Sequence, residues 1–190
     1  MPTILGANTL SSGYDVQNSA RFNDGGSQYL ERNFTTTQDS RRKFTVSAWV
    51  KRGTITNSAV IWGSSEGSGE GYNALKFESN NLQVLSGNTS NSGTQLNLDS
   101  TALFRDVSAW YHIVVGIDTT QSSLADGVKF YVNGVRDTDY DGTPVYNQDA
   151  TFEIARNGST TSIGRMQVNN TQFLDGYLTE VNFIDGQQLD

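Results

Sequence analysis

The chain has 190 residues, 35% of them hydrophobic and 11% aromatic, with no cysteine and a formal charge of −7 at a pI near 4.6. This length supports one domain with a real core and leaves two cramped. The composition excludes disulfides, thiolate metal sites and cysteine nucleophiles, and the acidic balance makes nucleic acid and anionic membrane poor partners.

Residues 1–16, "MPTILGANTLSSGYDV", lack the basic stretch and apolar run of a secretory signal. They read as an arm ahead of a single domain over 17–190. Nowhere does an apolar run approach the ~18 residues that span a bilayer, so synthesis and folding in a cytoplasm are expected. Short strands are predicted at 19–23 and 27–31, parted by the turn "NDGG". The basic cluster Arg41-Arg42-Lys43 stands directly before an apolar run and reads as a solvated strand start. In that run, "FTVSAWVK" (44–51), Phe44, Val46, Ala48 and Val50 alternate with Thr45, Ser47, Trp49 and Lys51. A period of two marks a strand with one buried face. Further strands are expected at 59–63, 72–78, 82–86 and 94–98, punctuated by "SSEGSGEG", "SNN" and "NTSNSG". A short helical turn is expected within 101–108, and nothing longer. "YHIVVGID" (111–118) sets Tyr111, Ile113, Val115 and Ile117 on one face, and "VKFYVNG" (128–134) does the same with Val128, Phe130 and Val132. Asn-Gly at 133–134 and 157–158 favours tight turns, because both residues tolerate positive φ. Strands at 151–155, 160–164 and 173–184 complete the set. Many short antiparallel strands in one domain mean a sandwich or a barrel.

Some of these strands are apolar on both faces. If 44–51, 111–118 and 128–134 are neighbours, their second face carries Trp49, His112, Val114 and Tyr131. Such a face is covered by a loop or a partner, or it serves as a binding platform.

Taken together, "FTVSAWVK", "WYHIVVGID", "VKFYVNGV", "SIGR" and "FLDGYLTEVNFIDGQQL" resemble the concanavalin A-like lectin/glucanase superfamily, in its laminin-G-like and pentraxin-like form. The resemblance covers about residues 18–187. It implies an all-β fold, an antiparallel two-sheet β-sandwich of jelly-roll type, with the first and last strands side by side. Residues 19–31 are therefore expected beside 176–184. Three stretches, "SARFNDGGSQYLERNF", "SRRKFTVSAWVKRG" and "FLDGYLTEVNFIDGQQLD", also resemble domains encoded by tailed bacteriophages in tail-fibre and other virion proteins. That likeness implies a particle component located in the virion. Its partners would be other virion subunits, further copies of this chain among them.

Glycoside hydrolysis needs two carboxylates flanking the scissile bond. In the resembled glucanases they open as E-x-D-x-x-E or E-x-D-x-E on one strand face. The six glutamates here, at 31, 66, 70, 78, 153 and 180, open no such pattern. Glu180 and Asp185 come nearest, and their odd spacing sets them on opposite faces. His112 is the only histidine, sits mid-strand, and is joined by no G-x-S-x-G. Glu66 and Glu70 lie in a Gly/Ser loop and read as solvated. The chain is expected to be non-enzymatic.

Residues 137–144, "DTDYDGTP", begin as a calcium loop does, with Asp137, Asp139 and Asp141 at positions 1, 3 and 5 and Gly142 at 6. Position 12 is Gln148 rather than a bidentate Glu, and position 8 is Pro144, so the EF-hand reading fails. Two readings stay open. One is a polar hairpin connection. The other is a calcium (Ca2+) site in a β-rim loop, as the resemblance implies.

A saccharide site stacks an aromatic ring on the apolar face of the sugar and offers a few placed polar groups to its hydroxyls. Trp49, Trp62, Tyr72, Trp110 and Tyr131 are the rings considered. Trp62 and Tyr72 flank the loop 64–71, while Trp110 and Tyr111 open a strand and read as core. The ligand set is Trp62, Tyr72, Trp49 and Tyr131. The resemblance and these rings point to a surface adhesion domain of a tail fibre or similar part, taking a host surface glycan. The alternative is a capsid decoration or tail structural protein binding only other virion subunits, a role the arm 1–16 would suit.

Overall fold

Period-two alternation is realised as two antiparallel sheets in the computed structural model, which describes residues 18–37, 40–55, 58–66, 71–88 and 93–190. The expected arm 1–16 lies outside those residues. One sheet has six strands in the order β1 (Ala20–Phe22), β13 (Gly176–Asp185), β3 (Lys43–Arg52), β8 (Tyr111–Asp118), β9 (Val128–Val132) and β10 (Val135–Asp137). The other has seven: β11 (Val145–Tyr146), β7 (Gly93–Asp99), β6 (Asn81–Asn88), β5 (Tyr72–Glu78), β4 (Ser58–Ser65), β12 (Thr160–Ile163) and β2 (Leu30–Asn33). The first and last strands do run side by side, with Ala20 opposite Leu178 and Phe22 opposite Gly176. The continuation of the first strand crosses over, and β2 pairs with β12 in the other sheet.

The dry layer between the sheets is filled by alternate residues. Phe44, Val46, Ala48 and Val50 of β3 meet Ile113, Val115 and Ile117 of β8 and Phe130 of β9, and across the gap lie Leu75, Phe77, Leu82, Val84, Leu96 and Leu98. Val181 packs against this cluster from a partly buried position. At one end Phe44 meets Phe152 edge-on at 5.4 Å, and Trp62 stacks on Phe183 at 5.8 Å.

Several local expectations differ from the structure, each for a physical reason. Residues 151–155 do supply core side chains, since Phe152, Ile154 and Ala155 are buried, yet they form no strand. Ala155 has φ 45°, which breaks extension, and the segment is anchored instead by Phe152 N–H to Arg41 O and by Ser64 Oγ to Glu153 O. The segment 101–108 carries turns rather than a helix. The helical turns fall at Asp24–Gly26 and Leu124–Gly127. Ser123 caps the second, its hydroxyl accepting from Asp126 N–H at 3.2 Å. The basic cluster is not simply solvated. Arg41 pairs with Glu153, Arg42 with Asp149 and Lys43 with Asp118, so it fastens the start of β3 to the crossing segment and to the end of β8.

Candidate functional site

The six-stranded sheet has an outer face, and its register sets the side chains there in rows. Trp49 lies opposite both Thr179 and His112. Ser47 lies opposite Asn182 and Val114, and Val114 opposite Tyr131. Lys51 lies opposite Tyr177, which in turn lies opposite Arg21. Trp110 directly precedes Tyr111, the partner of Val50, and so falls beside Lys51. The Trp110 and Tyr177 rings come within 6.5 Å of each other, and Trp49 stacks on His112 at 4.7 Å. The face thus carries a band of rings with Ser47, Thr179 and Asn182 beside it.

The electrostatics of the face are local. Burial against Trp49 pushes the His112 imidazole below its ordinary pKa, so the ring is neutral at pH 7 and presents a stacking surface. Arg21 lies over the Tyr177 ring at 5.3 Å and pairs with Asp175.

One end of the face is covered by the segment 186–190. Thr45 Oγ1 donates to Gln187 O at 2.8 Å and accepts from Leu189 N–H at 2.8 Å, while Gln188 Nε2 donates to Gly116 O at 3.3 Å. A side chain at Gly116 would come within 2.6 Å of Leu189 O, so glycine is what lets the segment lie flat. Tyr131 donates to Asp190 at 2.9 Å, and that bond to a carboxylate is the main reason its hydroxyl pKa is raised. The face is therefore covered over Thr45, Gly116 and Tyr131 and left uncovered by that segment at Trp49, Trp110 and Tyr177.

The other expected ring pair is divided by the sheet. Trp62 is 4% exposed because a bulge between Val60 and Trp62 turns it into the core, so its ring is closed to any ligand. Tyr72 stands on the opposite face over Gly87, in a small cluster with Val60, Ala74, Met166 and Val168. Beside that cluster runs a polar chain. Lys76 Nζ donates to Glu78 at 2.6 Å, Gln83 to Asn97 at 3.0 Å and Asn97 to Asp99 at 3.3 Å. Burial raises the Asp99 pKa, whereas Lys76 and Ser58 outweigh burial and lower that of Glu78.

The three alternating aspartates are each used locally. Asp137 Oδ1 accepts from Asp139 N–H at 3.1 Å, and Asp141 Oδ1 from Gly142 N–H at 2.9 Å. Asp139 O accepts from Thr101 N–H, and Asp141 N–H donates to Asp99 O. Among the described residues, no three of His, Cys, Asp and Glu converge on a point that a cation can take. The loop forms one wall of an open groove of about 650 Å³, with Leu124, Val128, Arg136, Thr138, Asp139 and Tyr140 among its lining. Tyr140 is the one ring there and its hydroxyl donates to Asp137 O.

Trp110 and Tyr177 complete the ring band although Trp110 read as core and Tyr177 was not singled out. The signal lay in parity: Trp110 is two residues before His112, and Tyr177 two before Thr179, which faces Trp49.

Two antiparallel sheets closed in jelly-roll order, with an aromatic outer face, define a lectin-type sandwich. The chain belongs to the concanavalin A-like lectin/glucanases superfamily, whose family model matches residues 24–187. No curated protein sequence matches the chain. Similar solved structures include domains LG4-5 of the mouse laminin alpha1 chain, at 16% identity and TM-score 0.65 over 92% of this chain. This chain spans 44% of that laminin fragment's length. Domain 4 of AbnA, a GH43 extracellular arabinanase from Geobacillus stearothermophilus solved with arabinotriose, is 16% identical with TM-score 0.58, covering 93% of this chain and 80% of its own. The CBM40 of Ruminococcus gnavus IT-sialidase, bound to alpha2,3 sialyllactose, is 13% identical with TM-score 0.61, covering 86% and 92%. At such identities the likeness is one of fold.

Proposed function

We propose that this chain is a non-catalytic carbohydrate-binding domain of a tailed-phage virion, an adhesion module of a tail fibre or similar part that takes a host surface glycan. The observation that carries the glycan reading is the open band on the six-stranded sheet, where Trp49, Trp110 and Tyr177 lie beside Ser47, Thr179 and Asn182. Flat rings with hydroxyl and amide groups at their edges match the two faces of a pyranose, one apolar and one polar. Superfamily membership supports the reading, as do two similar structures whose names include bound arabinotriose and sialyllactose. The virion setting is supported by the stretches at 19–34, 40–53 and 173–190 that resemble tailed-phage domains; other virion subunits and further copies of this chain are its partners there. The non-catalytic reading is supported by Glu78 and Asp99, carboxylates on the outer face of the seven-stranded sheet. They are occupied by Lys76 and Ser58 and by Asn97, respectively.

A glycan array tests the binding. The wild type is expected to retain a defined subset of glycans, and Trp49→Ala or Tyr177→Ala to weaken retention about tenfold, the value of a lost stacking ring, at unchanged melting temperature. Undiminished retention by both variants would move the site off this face. Antibody labelling of intact particles places the domain: a fibre or tail tip fits adhesion, and the capsid lattice fits decoration.

A further inference from the structure

The open band has one feature that plain stacking leaves unused. Lys51 stands between two rings, opposite Tyr177 on one side and beside Trp110 on the other, and those rings are 6.5 Å apart. Among the described residues it forms no ion pair, whereas Arg21 pairs with Asp175 and Lys129 with Asp190; Arg136, opposite Tyr131, is taken up by the carbonyls of Ala125 and Val128. The acid that feels its charge is Asp106, whose carboxylate already accepts from Ser108 N–H and Ser108 Oγ. Glu180, exposed in the bulge of β13, lies beyond Thr179 on the same sheet. On a chain of net charge −7, a lysine with no ion-pair partner among the described residues, in register with two rings, is a local exception with a direction. It favours an anion carried on a flat apolar body.

We propose that the Tyr177–Lys51–Trp110 row is a subsite for an acidic sugar, with the sugar ring on the indole and its carboxylate or sulfate on the Lys51 ammonium. This rests on the carbohydrate-binding reading above and narrows it to anionic glycans. A sugar ring seated on the indole would exclude water from the anion–ammonium contact, which strengthens a charge-assisted hydrogen bond relative to one in open solvent. Arg21 stays engaged by Asp175 and over Tyr177, so it holds the ring in place and leaves the anion to Lys51.

The test is an array carrying matched glycans: uronic acid and its methyl ester, sulfated and desulfated forms, and neutral sugars. Wild type and Lys51→Met are compared at low and high salt. The expected result is retention of the acidic members over their neutral partners by about tenfold, falling with salt. Lys51→Met removes the preference while keeping the weaker neutral binding. The uronate and sulfate arms separate the two sources of charge. Equal retention of acid and ester, or a preference that survives Lys51→Met, overturns this inference and leaves the carbohydrate reading standing. No retention of any glycan overturns both.

Discussion

Two buried charges show what single residues contribute. Arg52 is 1% exposed and faces the core end of β3. It donates to Phe104 O at 2.7 Å and to Asn80 Oδ1 at 3.3 Å, and lies over the Phe77 ring at 4.5 Å. Burial lowers its pKa, but the guanidinium stays charged and pins the 101–110 loop to the sandwich. Arg52→Ala is expected to cost about 3 kcal/mol in urea unfolding, through the cavity and the orphaned carbonyl. Arg52→Met fills the volume and should cost less. Asp118 is the acidic counterpart. Burial alone would raise its pKa, but Thr120, Lys43 and Gln121 donate to the carboxylate and take it from 3.8 to about 2. A folded pKa below the unfolded one gives stability that is present above about pH 4 and lost as pH falls toward 2. Asp118→Asn is therefore expected to lower stability by about 2 kcal/mol at pH 7 and to flatten the melting temperature between pH 4 and pH 2. An unchanged acid limb would sink that account. At this scale the sequence was legible wherever parity held. Val46, Ile113 and Phe130 are buried as alternation requires, and Trp49, His112 and Tyr131 face out. Trp62 failed to follow because a bulge adds one residue before it, and alternation cannot announce a bulge.

At the level of elements, long strands were easy to read and connectors were not. The bounds 72–78 and 111–118 follow from apolar periodicity and match β5 and β8. The two-residue β11 and three-residue β10 are too short to show a period, and 151–155 shows apolar alternation while serving as a crossing segment. The 186–190 segment was invisible for another reason: its side chains carry no period, and its hold on the sheet combines backbone groups of Gln187 and Leu189 meeting Thr45 with the side chains of Gln188 and Asp190. That hold is testable. Gly116→Ala sets a Cβ against Leu189 O, so hydrogen exchange in 186–190 should rise severalfold, on the scale of one or two lost hydrogen bonds. The core strands should stay protected. Unchanged protection of 186–190 would mean that the segment is held elsewhere.

Among the described residues the sandwich has open edges, and its charge governs how those edges behave. The seven-stranded sheet ends at β2, whose four residues Leu30, Glu31, Arg32 and Asn33 are all exposed, Leu30 at 57%. The six-stranded sheet ends at β10, where Val135 is 71% exposed beside Arg136. An uncovered edge offers unpaired backbone groups to any other strand, and charged residues on it make such pairing costly. Glu31 is already committed to Arg165 at 2.6 Å, so Arg32, over the Phe34 ring at 4.8 Å, is the charge that guards β2. Net repulsion at −7 helps above the pI of about 4.6 and vanishes near it. Arg32→Val leaves Leu30 and a β-branched residue on one face of a bare edge. Sedimentation should then show mass growing with concentration beyond that of the wild type, and most steeply near pH 4.6. If mass instead stays equal to the wild type at every pH, the edge is protected by its short length and twist rather than by charge.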